Sequence, residues 1–457
     1  MFDKGLFIFH RDFRIHDNIG LITASEQCKD LFVCFIFTPD QVSKSNHYRS
    51  NNAIQFMIES LEDLDKDIHN NGGELGIFYG KQLKIIDEYI KKYNINAVFY
   101  NKDYTPYAVE RDTATREHCK KHGIECIESA DYYLHEPGTV LTGGGTAYKK
   151  FTPFYELVGH KKVLSPSNKK VKNISKGSLP NGNYSLEKAM TSFVKKKNEN
   201  IDGGGHKLGL ERMKKSVREQ SHYDNMRNEL SYQTSRLSAY IKFGCVSIRE
   251  VYHAFHSNTE FKRQLLWRDF FANVLYSYPE VLGKSYHYRG IKWRKSQRDF
   301  ELWCRGETGF PVVDAGMREL NATGYMHNRT RMAVATFLVK TLLIDWRWGE
   351  HYFATQLTDY DIASNNGNWQ GISSTGVDLK PYFKDMNPWI QSAKFDKNAE
   401  YIKKWIPELK EVDAKDIHKW FSTYNDPKYK HIQYPQPMVD LDEQKQKMLK
   451  IYENTKA

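Results

Sequence analysis

Five short apolar runs, Gly5–Phe9, Leu31–Phe37, Leu75–Tyr79, Ala97–Tyr100 and Glu125–Ile127, alternate with helix-patterned segments such as Ala53–His69, Leu83–Lys92 and Tyr107–His122. Parallel strands cannot be joined by tight turns, so this rhythm predicts a parallel sheet with helices packed on its faces. No G-x-G-x-x-G follows the first run, so an ordinary dinucleotide site is not expected there. Ligands of such sheets usually sit at the carboxyl ends of the strands. From about Asp131 the rhythm breaks. Gly143–Gly145 and Lys161, Lys162, Lys169, Lys170, Lys172 and Lys176, set among Ser, Asn and Pro, read as a long surface connection. After about Asn200 strand signals vanish and helical periodicity runs on. The chain is expected to hold an α/β N-terminal domain (1–130, parallel sheet, Rossmann-like), an interdomain linker (131–200) and a larger all-α domain (201–457).

The six cysteines, Cys28, Cys34, Cys119, Cys126, Cys245 and Cys304, are scattered and include no C-x-x-C pair. A zinc or iron–sulfur site is therefore not expected, and scattered thiols suit a reduced, intracellular chain. Charges enter the opening MFDKGLFIFHRDFRIHD too soon for a signal peptide, and no apolar run is long enough to span a bilayer. A cytoplasmic or nuclear protein without a membrane partner is expected. The formal charge of +11 permits phosphate contacts but does not map a nucleic-acid surface.

The stretch Thr308–Trp389 poses a conflict. Met332, Val334, Ala335, Phe337, Leu338, Leu342 and Leu343 pattern a largely buried helix. Interleaved are Asn328, Arg329, Arg331, Asp359, Asp361, Asn365, Asn366 and Trp369. Burying so many polar groups is costly unless each has a partner. A large polar ligand enclosed by helices supplies partners, and so does a tightly paired structural network.

Four ordered motifs bear on that choice: TSRLSAYIKFG (Thr234–Gly244), LLWRDFF (Leu265–Phe271), MHNRTRM (Met326–Met332) and DYDIASNNGNW (Asp359–Trp369). With HRDFRIHDN (His10–Asn18), NKDYTPYAVERD (Asn101–Asp112) and FTPF (Phe151–Phe154), they resemble the photolyase/cryptochrome family over nearly the whole chain. Its members are light-driven flavoproteins that repair ultraviolet lesions in DNA or signal blue light. The motifs look closest to the class I cyclobutane pyrimidine dimer (deoxyribodipyrimidine) photolyases.

The resemblance implies a flavin adenine dinucleotide (FAD) cofactor folded into a U. Tyr223 and Thr234, Ser235, Arg236, Leu237 and Ser238 match the residues on its diphosphate. Two hydroxyls beside an arginine at a helix start can serve a diphosphate, although such residues also serve as helix caps. Arg331 and Asp359 resemble the ion pair beside the isoalloxazine ring, Asp361 an acceptor for ring and ribose donors, and Asn365 the group facing flavin nitrogen five. An asparagine carbonyl can accept from a protonated nitrogen, but its amide is a poor general acid. Gln264 and Arg268 also match cofactor positions. Trp369, Trp346 and Trp293 align with an electron-transfer chain running from the flavin to the surface, while any single tryptophan is more often packing.

On the substrate side, the resemblance implies ultraviolet-damaged DNA with the lesion flipped into a cavity. Trp267 would stack on its bases, Gln264, Asn328 and Met332 would meet it, and Arg227, Arg268, Arg329 and Lys384 would meet the strand backbone. For each basic residue alone, a surface ion pair is the common fate. Repair of (6-4) photoproducts is associated with histidines where Asn328 and Met332 stand, so dimer repair is expected. Two positions depart from the dimer pattern: Gln264 replaces a usual glutamate, and Gly371 a usual tryptophan. Glu110 and Lys284 match positions of the branch with a methenyltetrahydrofolate antenna, the alternative being an 8-hydroxydeazaflavin, and both residues also suit ordinary surface charges. The chain is expected to act as a monomer. Rival readings are a (6-4) photolyase, a cryptochrome-type photoreceptor without repair, and a single-strand-preferring relative. The last helical motif expected is Tyr401–Leu409, and no long disordered extension is expected beyond it.

Overall fold

All five apolar runs form strands in a computed structural model that describes residues 1–176, 184–378 and 386–455. The order is β1 (Phe2–Phe9), α1 (Ile19–Gln27), β2 (Cys28–Phe37), α2 (Pro39–Val42), α3 (Asn51–Asn70), β3 (Leu75–Tyr79), α4 (Gln82–Tyr93), β4 (Ala97–Asn101), α5 (Pro106–Lys121) and β5 (Glu125–Ser129). The sheet is parallel throughout, in the order β3-β2-β1-β4-β5. Central β1 pairs Phe7 with Val33 on one side and with Phe99 on the other. Its Leu6, Phe7, Ile8 and Phe9 are buried, as expected of a strand covered on both faces. β1 and β2 begin earlier than their apolar runs suggest, because Phe2 pairs with Cys28 while the charges of Asp3 and Lys29 meet outside at 2.7 Å.

Right-handed crossovers put α1 and α3 on one face. The connection from β3 back to β4 reverses direction, so α4 and α5 cover the other face. There Ile85, Ile86 and Tyr89 of α4 share a core with Cys119 of α5 and with Ile8, Phe78 and Tyr100 of the sheet.

The described chain divides into two compact units. The first comprises Met1–Ser221, Ser235–Pro279 and Thr358–Ala363; the second comprises His222–Thr234, Glu280–Leu357 and Ser364–Ala457. Within the first unit, the segment 131–200 carries helices Phe151–Val158 and Leu186–Phe193. Its Ile174 bridges to Leu31, and the Ser175 N–H donates to Leu31 O at 2.8 Å, so buried Val171 and Ile174 lie against the sheet while the lysines face solvent.

A buried ion network joins the sheet to the helical part of the same unit. Arg14 reaches Asp131 at 2.6 Å, and Arg249 reaches Asp131 at 2.7 Å and Asp17 at 2.9 Å. Ser247 also donates to Asp17. Nearby, Gly244 adopts φ +60°, and a Cβ there would sit 2.4 Å from Arg11 O. Only glycine lets the loop after β1 approach this closely.

The second unit is helical among its described residues. Its apolar run does not form one continuous helix. Helix Asn328–Thr336 widens into a π-helical turn at Phe337–Thr341, and Leu343 then turns left-handed at φ 57°. Buried Lys340 lies inside this turn, its Nζ 3.0 Å from Ser374 Oγ and 4.7 Å from the Tyr452 ring centre. Tyr401–Leu409 is not the last helical segment, since Leu441–Glu453 forms a further helix. Its many charges mask a stripe of Gln444, Met448 and Tyr452 at four-residue spacing, all buried.

Candidate functional site

The residues singled out in sequence fall into two groups, one in each unit. In the first, Thr234–Ser238 supplies Ser235 to Ser238. The Ser235 Oγ accepts from the Leu237 N–H at 3.4 Å, and Ser216 donates to Ser235 O at 3.1 Å. Arg236 adopts φ 53° and spends its Nε on Asp202 at 2.7 Å, a carboxylate shared with Arg212. Leu237 is buried and Ser238 exposed. No side chain caps helix Ser238–Lys242, so the capping reading does not hold and its first N–H groups are left to other acceptors.

Lys242 closes that short helix and donates its Nζ to Tyr360 O, which ties the stretch to Asp359 and Asp361. Burial pushes Lys242 down to about 8, against the pull of Asp361. Arg11, held by Asp103 at 2.7 Å, also feels the Asp361 charge.

On helix Thr259–Ser277, Gln264, Trp267 and Arg268 share one face through their three- and four-residue spacing. Gln264 turns its Nε2 back to Glu260 O at 3.3 Å. Trp267 lies flat on Phe151 of the FTPF motif, ring centres 3.6 Å apart and 9° from parallel, so one indole face is already covered. Arg268 points inward: its Nη1 donates to Tyr132 O at 2.6 Å and its guanidinium lies 4.2 Å from the Tyr133 ring centre. Its Nη2 is buried without a hydrogen-bond partner.

In the second unit, Thr234 meets the Tyr325 hydroxyl at 2.9 Å. Arg331 donates to Met326 O at 2.8 Å and lies over the Tyr325 ring. Asp359, its expected ion-pair partner, belongs to the first unit. Arg227 stands 6.0 Å from the ring centre of half-buried Tyr223. Arg329 donates to Asn228 Oδ1 at 2.5 Å and lies over Phe395. Burial and then the like charge of Arg227 hold Arg329 below its usual range. Exposed Asn328 and half-buried Met332 stand one turn apart on helix Asn328–Thr336. His327 accepts from the Arg329 N–H through Nδ1 and caps this helix.

Asn365 has a defined orientation. Its Nδ2 donates to Glu350 O at 3.1 Å and to Glu350 Oε1 at 3.0 Å. Both partners are acceptors, so the amide nitrogen faces Glu350 and the carbonyl oxygen faces away. Glu350 carried no signal in the sequence, because only its fold partner gives it meaning.

The three tryptophans are linked through the backbone. Trp369 packs on Gly349, where a Cβ would come 2.1 Å from its Cη2. Trp346 lies three residues before Gly349 on helix Trp346–Gln356 and is buried, its Nε1 3.4 Å from Ser285 Oγ. The Arg294 N–H donates to Leu343 O at 2.8 Å, which holds neighbouring Trp293 beside the start of that helix. Trp293 is half-buried against Leu343 and Met448, so of the three only Trp293 is open to solvent. Buried Trp303, edge-on to Trp369 at 6.3 Å, was not singled out in sequence. Gly371 has open space where a Cβ would stand.

Glu110 lines a cavity of about 630 Å³ in the first unit, between α5 and the end of helix Thr259–Ser277, with Tyr104, Pro106, Leu275, Tyr276 and Pro279. Lys284, in the second unit, is exposed. Lys384 lies outside the described residues.

Comparison with known proteins divides the chain by sequence, and its second match spans parts of both units. Residues 6–170 match the family model "DNA photolyase", and residues 261–454 match "FAD binding domain of DNA photolyase". A deoxyribodipyrimidine photo-lyase of Alkalihalophilus pseudofirmus is 36% identical, with 97% of this chain and 96% of the relative covered. An archaeal photolyase from Sulfolobus tokodaii, solved with two FAD molecules and an implied novel light-harvesting cofactor, superposes with TM-score 0.88 at 39% identity, covering 99% and 100% of the two chains. A class III photolyase from Agrobacterium tumefaciens superposes with TM-score 0.92 at 28% identity, covering 99% and 98%.

Proposed function

The chain belongs to the DNA photolyase family, and from that premise we propose that it repairs cyclobutane pyrimidine dimers in ultraviolet-damaged DNA, driven by light. It is a photolyase enzyme, and FAD is its cofactor. Reduced FAD, once bound, would supply light-driven one-electron chemistry for opening the cyclobutane ring. The donors of the first unit suit such a ligand: Arg268 Nη2 and Thr358 Oγ1 are buried without hydrogen-bond partners.

The observation that carries the reading is the fixed Asn365 amide. Held by Glu350, Asn365 offers a carbonyl acceptor and no acidic proton, which favours a reduced cofactor over one that must be protonated on each cycle. Arg268 and the Thr234–Ser238 backbone hold the diphosphate side. Arg331, Asp359, Asp361 and Gln264 address the ring and ribose. Trp369, Trp346 and Trp293 form the reduction path inward from solvent.

On the DNA side, Arg227 and Arg329 are two guanidiniums whose mutual repulsion is already felt. A phosphate between strands of charge like these relieves that repulsion. Trp267, backed by Phe151, offers a stiff indole for the flipped lesion, a contact worth about 1–3 kcal/mol per base. Asn328 and Met332 line the lesion site with no imidazole, which suits a lesion that needs an electron but no acid. Lys384 is assigned to the strand backbone on its motif alone. The cavity beside Glu110, with aromatic and proline walls, suits a planar antenna of the folate or deazaflavin type, and Lys284 is assigned to the antenna on the family resemblance alone.

The functional division follows as 1–130 for the antenna, 131–200 for the connection and 201–457 for FAD and lesion. No described helix is long and apolar enough to cross a membrane. A place in the cytoplasm or nucleus is in keeping with the free cysteines, and the chain is proposed to act as a monomer. The test is to illuminate reduced protein with duplex and single-stranded oligonucleotides carrying each lesion. Splitting of cyclobutane dimers back to separate pyrimidines in duplex DNA is expected. Intact dimers alongside repaired (6-4) photoproducts, repair confined to single strands, or no repair at all would each overturn the proposal.

A further inference from the structure

Away from all these residues, α4 and α5 bring three metal-ligating side chains to one point. His118 and His122 lie one turn apart at the end of α5, ring centres 4.6 Å apart. From α4, Asp87 aims one carboxylate oxygen at both, 2.8 Å from His118 Nε2 and 3.4 Å from His122 Nε2. Among the described residues this is the one group of three or more His, Cys, Asp or Glu whose ligand atoms all lie within 4.8 Å of one another. The two helices are fixed relative to each other by the core they share against the sheet. The side chains stay partly open to solvent, with exposures of 16% for His118, 32% for Asp87 and 37% for His122, so an ion can reach them.

We propose that Asp87, His118 and His122 form a binding site for a divalent ion of the zinc class. A tetrahedral zinc ion at about 2.0–2.1 Å from its ligands needs ligand atoms about 3.3 Å apart. The convergence on Asp87 comes close to that spacing, and small side-chain rotations complete it. Two imidazoles select zinc, copper or nickel over magnesium and calcium, which favour all-oxygen sites. The carbonyl end of α5 adds a partial negative charge that favours a cation there. Three protein ligands leave the fourth position to water or an external ligand. Without the ion, the same atoms make the observed histidine–carboxylate contacts. With it, the ion clips α4 to α5 and stabilises the folded chain by mass action.

The experiment uses the FAD-loaded protein, stripped with chelator and titrated with zinc chloride or cobalt chloride. A single bound equivalent, a rise in melting temperature with zinc, and the strong visible bands of tetrahedral cobalt are expected. His118→Asn and Asp87→Asn should each weaken zinc binding by at least the roughly 10–100-fold that loss of a mere supporting partner costs. His122→Gln, at an exposed position, should match the unsubstituted chain in metal-free melting temperature, flavin content and light-driven activity while losing the zinc response. An unchanged zinc affinity and cobalt spectrum in His122→Gln overturns the proposal, as does the absence of any zinc response in the unsubstituted protein.

Discussion

Asn365 shows how a neutral side chain acquires a chemical direction. Its amide is symmetric in shape, and only the two acceptors on Glu350 decide which end faces outward. The same holds for the tryptophans, whose role depends on order and contact rather than on identity. Trp346 sits midway, buried, between Trp369 against Gly349 and half-buried Trp293. In Trp346→Phe the intermediate radical site is lost, because a phenyl ring is far harder to oxidise than an indole. Light-driven reduction of oxidised cofactor should slow by about tenfold or more, which corresponds to about 1.4 kcal/mol of added barrier or more. Repair by chemically reduced protein should be unchanged. Absorbance bleaching under illumination checks the first and oligonucleotide repair the second. Unimpaired photoreduction would remove Trp346 from the path.

Helix Asn328–Thr336 places four candidate residues, and its geometry is set at its ends. His327 caps the start through Nδ1, and the π-helical turn at Phe337–Thr341 ends it. Burial, then Arg329 and Arg331, push His327 down to about 4 from the ordinary 6.5. Above pH 6.5 the imidazole is neutral in both folded and unfolded chains, so it adds no pH dependence. As pH falls from 6.5 to 4 the unfolded chain takes up the proton first, and the folded state loses about 3 kcal/mol. His327→Asn keeps an acceptor for the Arg329 N–H without a titrating ring. Its denaturant midpoint should therefore fall less than that of the unsubstituted chain between pH 6.5 and 4. Parallel curves for the two proteins would show that His327 does not titrate there.

At the scale of the molecule, the first unit is stitched from segments far apart in sequence: the sheet, 235–279 and 358–363. Burial raises the Asp131 carboxyl, but Arg14 and Arg249 together hold it below its ordinary range. The network therefore contributes above the ordinary carboxylate pH range and is lost as pH falls through the lowered value. Asp131→Ala leaves two buried guanidiniums short of a partner and should cost about 3–5 kcal/mol in chemical unfolding. A loss of less than about 1 kcal/mol would mean that water takes the carboxylate's place. Strands β1 to β4 were legible as apolar runs because they bury most of their side chains on both faces, while edge strand β5 is only partly buried, and the cofactor class was legible because motifs such as MHNRTRM and DYDIASNNGNW lie within short stretches. Other features were not. Leu441–Glu453 hid its buried stripe under charge, and Glu350, Trp303 and the Asp87–His118–His122 group matter only through residues distant in sequence. The H-x3-H spacing in HCKKH was the one local trace of the last group, and its third member, Asp87, comes from a separate helix. The sequence by itself determined which elements form and which chemistry the chain can hold, since both follow from local periodicity and residue type. The tertiary structure alone decided that Arg236 serves Asp202, that Arg268 turns inward and that Asn365 presents its carbonyl. A polar side chain's role is fixed by the partner that satisfies its hydrogen bonds, and that partner is chosen in space rather than along the chain.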